Sequence, residues 1–143
     1  VSLYRRSIFG ITPSKVCFRK YNIPPHYMNL KSISSKSAPS PVGPYNQAVL
    51  AGEWLYCSGQ IALDPSTSQL IGEGDIEDET RQVLRNLLAV LSAAKARPNQ
   101  VVRTTIYLID LKDFNTVNSI YSEVSNADGA HNYLCGGIAN FES

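Results

Sequence analysis

Two stretches carry the side chains with the most chemistry to offer. Tyr45 lies in Gly43-Pro44-Tyr45-Asn46-Gln47-Ala48, and Ser58 lies in Cys57-Ser58-Gly59-Gln60-Ile61. The first stretch is a turn that feeds a strand. The second is a strand that ends on a small residue and a glycine. Between them run Val49-Leu50 and Trp54-Leu55-Tyr56, two apolar segments around Ala51-Gly52-Glu53. Apolar runs on either side of a Gly-containing loop predict a β-hairpin. A hairpin returns its exit to its entry, so Tyr45 and Ser58 are expected near one another, on one wall of a small-molecule site. A third candidate, Asn118, lies beside a predicted helical face formed by Phe114, Val117 and Tyr121. A buried amide there needs partners, and capping or bracing a loop is the plainer role for it.

Other elements must position this hairpin. Pro39, Pro41 and Pro44 mark an extended linker that enters its first strand. After it, Ile61-Ala62-Leu63 reads as a third short strand, Asp64-Pro65-Ser66-Thr67-Ser68 as a turn, and Gln69-Leu70-Ile71 as renewed strand. Asp75 to Ala94 carries the strongest helical pattern. Asp75 is placed to cap it, and Glu77, Asp78 and Glu79 suit the positive end of the dipole. Val83, Leu84, Leu87, Leu88, Leu91 and Ala94 form one apolar stripe, expected to pack on a sheet. Thr80, Gln82, Arg85, Asn86 and Ala89 fall largely outside that stripe. Pro98 stops the segment. Val101 to Leu108 is rich in β-branched residues and reads as a strand with Val102, Thr104, Ile106 and Leu108 on one face. A second helix is expected over roughly Lys112 to Tyr121. Val124 to Ser143 shows no period, and no strand pair stands out in it.

Composition narrows the function classes. The chain has 143 residues, 43% hydrophobic and 17% charged, which suits one globular domain plus extensions. A net charge of +1 gives no electrostatic case for nucleic acid. The apolar segments are too short and interrupted to span a bilayer, so no membrane partner is expected. Cys17, Cys57 and Cys135 are odd in number and widely spaced, which is neither a disulfide framework nor a zinc pattern and fits a reducing compartment. His26 and His131 are the two histidines and do not by themselves make a metal site. His131 reads as a surface residue and Cys135 as an incidental thiol.

The first 40 residues differ from the rest. They hold Arg5, Arg6, Lys15, Arg19, Lys20, Lys31 and Lys36, many serines and no acidic residue. That is the composition of a mitochondrial or plastid transit peptide. A disordered basic arm, or an untranslated region carried into a gene model, fits the same composition. The chain begins at Val1, and its one methionine, Met28, sits just before the folded part. Initiation at Met28 would make a cytosolic form, so the expected location is mitochondrial or cytosolic.

The ordered motifs resemble the RidA (YjgF) family. Gly43 to Ala48 is similar to the family's opening motif, and so is Ser58-Gly59-Gln60-Ile61 followed by Leu63-Asp64-Pro65. Thr80 to Leu87 looks like its first helix. Val101 to Thr105 and Asp113 to Tyr121 look like the next strand and second helix. The resemblance divides the chain into a basic extension (1–30), a RidA-like domain (31–123) and a non-matching tail (124–143). It implies an α+β, chorismate-mutase-like fold, in which a mixed sheet carries two helices on one face and three chains form a trimer with clefts between subunits. The implied activity is hydrolysis of reactive enamines and imines, such as 2-aminoacrylate, 2-iminobutanoate and 2-iminopropanoate. Amino-acid dehydratases release these, and the products are 2-keto acids and ammonia. No metal or organic cofactor is implied. An arginine forks the substrate carboxylate, as its planar donor pair allows, and a late glutamate serves the water. By this resemblance Tyr45 and Ser58 match pocket residues and Asn118 an asparagine near the site.

The tail departs from the pattern. The family's Pro-Ala-Arg strand and its final glutamate-bearing strand have no match here. Arg103 is the last arginine, and Glu142 sits in no matching motif, so neither takes the missing catalytic roles. A different exon, a retained intron or a frameshift would end a close match this abruptly. Without the last two strands, one of which lies within the sheet, neighbouring strands lose ladder partners and expose edges. The expected consequences are poor folding or aggregation and little deaminase activity. Two other classes compete with the deaminase: a non-catalytic ligand-binding or regulatory protein on the same scaffold, and a ribonuclease or translation inhibitor. The near-neutral charge and the lack of a basic-aromatic pattern argue against the last.

Overall fold

The computed structural model describes residues 8–10, 29–126 and 135–140. In chain order its elements are β1 (Ile8–Gly10), β2 (Leu30–Ile33), β3 (Ala48–Ala51), β4 (Trp54–Cys57), α1 (Ile76–Ala93), β5 (Arg103–Leu108), α2 (Phe114–Asn126) and β6 (Cys135–Asn140). The architecture is α+β, as the resemblance implies. The readings of Cys17, His26, His131 and Glu142 lie outside the described residues.

The hairpin forms where the apolar runs predict it. β3 and β4 are antiparallel, with Ala51 opposite Trp54 across the Gly52-Glu53 turn. Gly52 has φ +60°, the left-handed conformation that so tight a turn requires. β2 adds antiparallel to the other side of β3. Its polar Lys31 and Ser32 hide it from a hydrophobic-pattern reading, and only Ile33 of its four residues is buried.

The strands divide into two three-stranded sheets, ordered β2-β3-β4 and β1-β5-β6. Helix α1 is the element they share. Asp75 caps it, its side chain accepting from the N–H groups of Glu77 and Asp78. Leu87, Val90 and Leu91 pack against Ile33, Ala48 and Cys57 of the first sheet. Val83 and Leu84 pack with Ile106 and Leu108 of β5 and with Val117 and Ile120 of α2. Fully burying each such aliphatic side chain stabilises the fold by roughly 1.5–3 kcal/mol. On β5 the expected alternation holds: Thr104, Ile106 and Leu108 are buried while Arg103 is exposed.

Four expectations need correction. The tail does contain a strand, β6, which runs parallel to β5 with Ile138 opposite Ile106. Gly136 and Gly137 give it no strand signal of its own, and the ladder offered by β5 overrides that weak propensity. The second helix extends past Tyr121 to Asn126 and is entered through a 3₁₀ turn at Leu111–Asp113. Ile61 to Leu63 and Gln69 to Ile71 are not strands; they meet only in a single bridge, Leu63 to Leu70. Side chains of α1 take the carbonyls that a ladder would use. Finally, Thr80, Gln82 and Asn86, outside the apolar stripe, are buried: Gln82 and Asn86 for the same reason, and Thr80 with its hydroxyl donating to the Ile76 carbonyl. Within the basic N-terminal segment, Ile8–Gly10 pairs antiparallel with Tyr107 to Thr105 of β5.

Candidate functional site

Tyr45 stands at the mouth of a cleft of about 280 Å³. One wall is the proline-rich strap Pro39 to Val42, and the other is the segment Gly59 to Ile61 with Leu63; Tyr45 and Gln47 complete it. Among the described residues its lining is apolar apart from Ser40, the Tyr45 phenol and the two glutamines, and none of these lining side chains is charged.

The strap holds its shape through Gln47, which is 4% exposed. Its Nε2 donates to the carbonyls of Ser35 (3.1 Å), Ala38 (3.2 Å) and Pro39 (2.7 Å). Its Oε1 accepts from the Ser35 N–H. A proline-rich strap has few N–H groups for a ladder, so a single amide satisfies its inward carbonyls instead. Past it, the Tyr45 N–H donates to the Gly43 carbonyl at 2.8 Å, a tight turn that leaves Tyr45 48% exposed.

The opposite wall is held from α1. Asn86 is fully buried, and its Nδ2 donates to the carbonyls of Ile61 (3.0 Å) and Leu63 (2.9 Å). Gln82 Nε2 donates to Leu63 O at 3.2 Å and to Asn86 Oδ1 at 3.0 Å. Gln60, buried and facing the cleft, donates from Nε2 to Ser58 O at 3.3 Å.

Of the three candidates from sequence, the structure places Tyr45 on the cleft. Ser58 is bolted to the hairpin entry: its N–H donates to Gln47 O at 2.9 Å and its hydroxyl to Asn46 O at 2.6 Å. It braces the residues flanking Tyr45 and does not line the cleft itself. Asn118 is exposed on α2, where its carbonyl accepts from the Ser122 hydroxyl at 2.8 Å, and it is not among the cleft residues. Gln47, Gln60, Gln82 and Asn86 escape a reading that looks for titratable groups. The local pattern gives no signal for them: Gln82 and Asn86 fall outside the apolar stripe of α1, and the strap beside Gln47 has no period. Cys57, at the end of β4, faces the core, and burial pushes its thiol up to about 11. A neutral buried thiol is not a nucleophile. Among the described residues no group of three His, Cys, Asp or Glu side chains comes together to hold a metal. No described helix is long and apolar enough to cross a membrane.

The chain is similar to known proteins in sequence and in structure. A RutC family protein of Synechocystis is 50% identical over 96 residues, covering 67% of this chain and 74% of that one. The human 2-iminobutanoate/2-iminopropanoate deaminase is 47% identical over 91 residues, covering 64% of this chain and 66% of its own. The crystal structure of a conserved Rid family protein from Yersinia pestis superposes with a TM-score of 0.73 at 37% identity, over 78% of this chain and 86% of that one. The profile of the endoribonuclease L-PSP family matches residues 35–142. With that span of the chain matched and a Rid structure superposing on it, the chain belongs to the endoribonuclease L-PSP, or Rid, family.

Proposed function

We propose that the Tyr45 cleft receives short-chain 2-imino acids and their enamine forms for hydrolysis to 2-keto acids and ammonia. The observation that carries this reading is the cleft itself. Its volume and apolar walls suit a three- or four-carbon chain, and the Tyr45 phenol and Gln60 amide suit the polar end. Nearly half identity to a protein named as a 2-iminobutanoate/2-iminopropanoate deaminase supports it.

The chemistry asks little of the protein. An imine carbon is electrophilic and becomes more so when its nitrogen is protonated. Water adds to that carbon, a proton moves to nitrogen, and the C–N bond breaks to give the keto acid and ammonia. The protein must hold the carboxylate, place the water and move protons. Tyr45 can do the last through its phenol. Among the described residues no partner for the substrate carboxylate lines the cleft.

A trimer with clefts between subunits fits this incompleteness. The face of the β2-β3-β4 sheet turned away from α1 carries Leu30, Val49, Ala51, Trp54 and Tyr56, as the strand register requires. Leu30 is 60% and Trp54 59% exposed, an apolar face suited to burial between copies. The basic, acid-free start supports a mitochondrial location, with a cytosolic form initiated at Met28; tagging both ends and finding one product overturns the dual form.

One observation favours a second reading, ligand binding without turnover: among the described residues no charged side chain lines the cleft. One experiment separates the two. The full chain is added to a pyridoxal-phosphate dehydratase acting on threonine, keto-acid release is followed, and 2-oxobutanoate binding is measured by calorimetry. The expected result is binding with weak acceleration that falls further in Tyr45→Phe. Binding with no acceleration at any chain concentration gives the second reading. Neither binding nor acceleration overturns both.

A further inference from the structure

We infer that Gln47 and Asn86 are positioning residues whose carboxamides set the separation of the two cleft walls. Each holds one wall by backbone carbonyls, Asn86 from behind it and Gln47 from within the cleft lining. Gln47 ties the Pro39 carbonyl of the strap and those of Ser35 and Ala38 in the segment that leads into it. Asn86 ties two of the opposite wall, those of Ile61 and Leu63, and is itself held by Gln82. Among the described residues neither wall has a strand ladder to hold it: the strap is irregular, and the other wall has isolated bridge positions at Gln60 and Leu63.

The carboxamide is the group this task needs. It is neutral, so it can be buried without the cost of a charge. It also offers two N–H donors and one acceptor in one plane. The two amides are linked through the chain as well. The Gln47 carbonyl accepts the Ser58 N–H, and Ser58 leads directly into the wall that Asn86 holds. Asn86 is fully buried behind its wall, and Gln47, although it also lines the cleft, acts on the strap through its amide.

That the spacing matters for a ligand rests on the reading of the cleft as a 2-imino acid site, so the test has one arm that needs no ligand. Hydrogen exchange is measured on the full chain for the strap amides, for residues 59 to 63 and for α1, beside the affinity for 2-oxobutanoate. The variants are Gln47→Met and Asn86→Leu, which keep size and remove the amide. Gln47→Met is expected to speed strap exchange about tenfold or more while α1 stays unchanged. Asn86→Leu does the same for residues 59 to 63. Each weakens 2-oxobutanoate binding about tenfold. Gln47→Glu and Asn86→Asp serve where the apolar variants do not fold; their exchange relative to wild type is expected to slow at acid pH, where a protonated carboxyl regains one donor. Exchange that rises equally in the walls and in α1 overturns the inference, as does loss of cooperative folding in all four variants, which makes the amides determinants of the fold. Wild-type chain that binds no 2-oxobutanoate defeats the proposed function alone, and the exchange arm still decides the clamps.

Discussion

The ring of Tyr45 lies folded over Gly43: a β-carbon at position 43 would stand 2.9 Å from Cε1 of that ring. That distance is below any normal contact, and the atom that must give way belongs to an exposed side chain. Gly43→Ala is therefore expected to swing the phenol off its place while leaving the fold within about 0.5 kcal/mol of wild type. Denaturant unfolding checks the second half, and weakened 2-oxobutanoate binding checks the first. An unchanged affinity with the ring displaced would show that the phenol is not part of the site.

Gly72 presents the opposite case. Its φ is +84°, and a β-carbon there would meet the Glu79 N at 2.9 Å and the Asp75 carbonyl oxygen at 3.0 Å. These are backbone atoms of the α1 start and its cap, and they cannot rotate away. Gly72→Ala is expected to cost roughly 2–3 kcal/mol, from left-handed strain and displacement of the α1 entry together. Gly52→Ala is the control, because Gly52 has φ +60° with open space around it. It is expected to cost only about 1–2 kcal/mol. Equal losses in the two variants would mean that the α1 contact contributes nothing.

What the sequence reveals follows from how local each signal is. The hairpin is legible because Gly52 and its flanking apolar runs act on adjacent residues. Helix α1 is legible because Asp75 and the Val83 to Leu91 stripe repeat within one segment. Tyr45 is legible as a cleft residue because its turn precedes a strand. Asn86 is not, since a polar residue on a helix reads as solvent-facing until its partners, the Ile61 and Leu63 carbonyls, are placed beneath it. Gln47 hides for the same reason: the strap that it gathers has no pattern of its own. Strand β6 is illegible because its order comes from a partner, β5, that lies on the far side of α2.

Cys57 gives a chemical readout of the core. Burial raises its thiol from an ordinary 9.0 to about 11. A shift of about 2 units leaves about a hundredfold less thiolate at pH 8 than in the unfolded chain. The stability linked to the neutral thiol is present below about pH 9 and is lost as pH rises through about 11. The tryptic peptide Ser37 to Arg81 contains Cys57 as its one cysteine, so iodoacetamide labelling can be followed there alone. Labelling at pH 8 is expected to be at least a hundredfold slower in the native chain than in denaturant. Comparable rates would mean that β4 does not seat Cys57 against Leu87 and Val90.

Asp64 gives the acid-side counterpart. The Ser66 hydroxyl, with the N–H groups of Thr67 and Ser66, holds its carboxyl at about 2 against an ordinary 3.8. All of these donors belong to the turn that follows the cleft wall at Leu63. The ionised form is the one they bind, so its contribution is present above about pH 4 and is lost as pH falls through about 2. Asp64→Asn keeps an acceptor oxygen and removes the charge. The difference in unfolding free energy between wild type and this variant is expected to be constant between about pH 5 and 8 and to shrink through the acid window. A difference that persists at about pH 2 would show that the turn does not select the charged carboxylate, and that Asp64 holds it by shape alone.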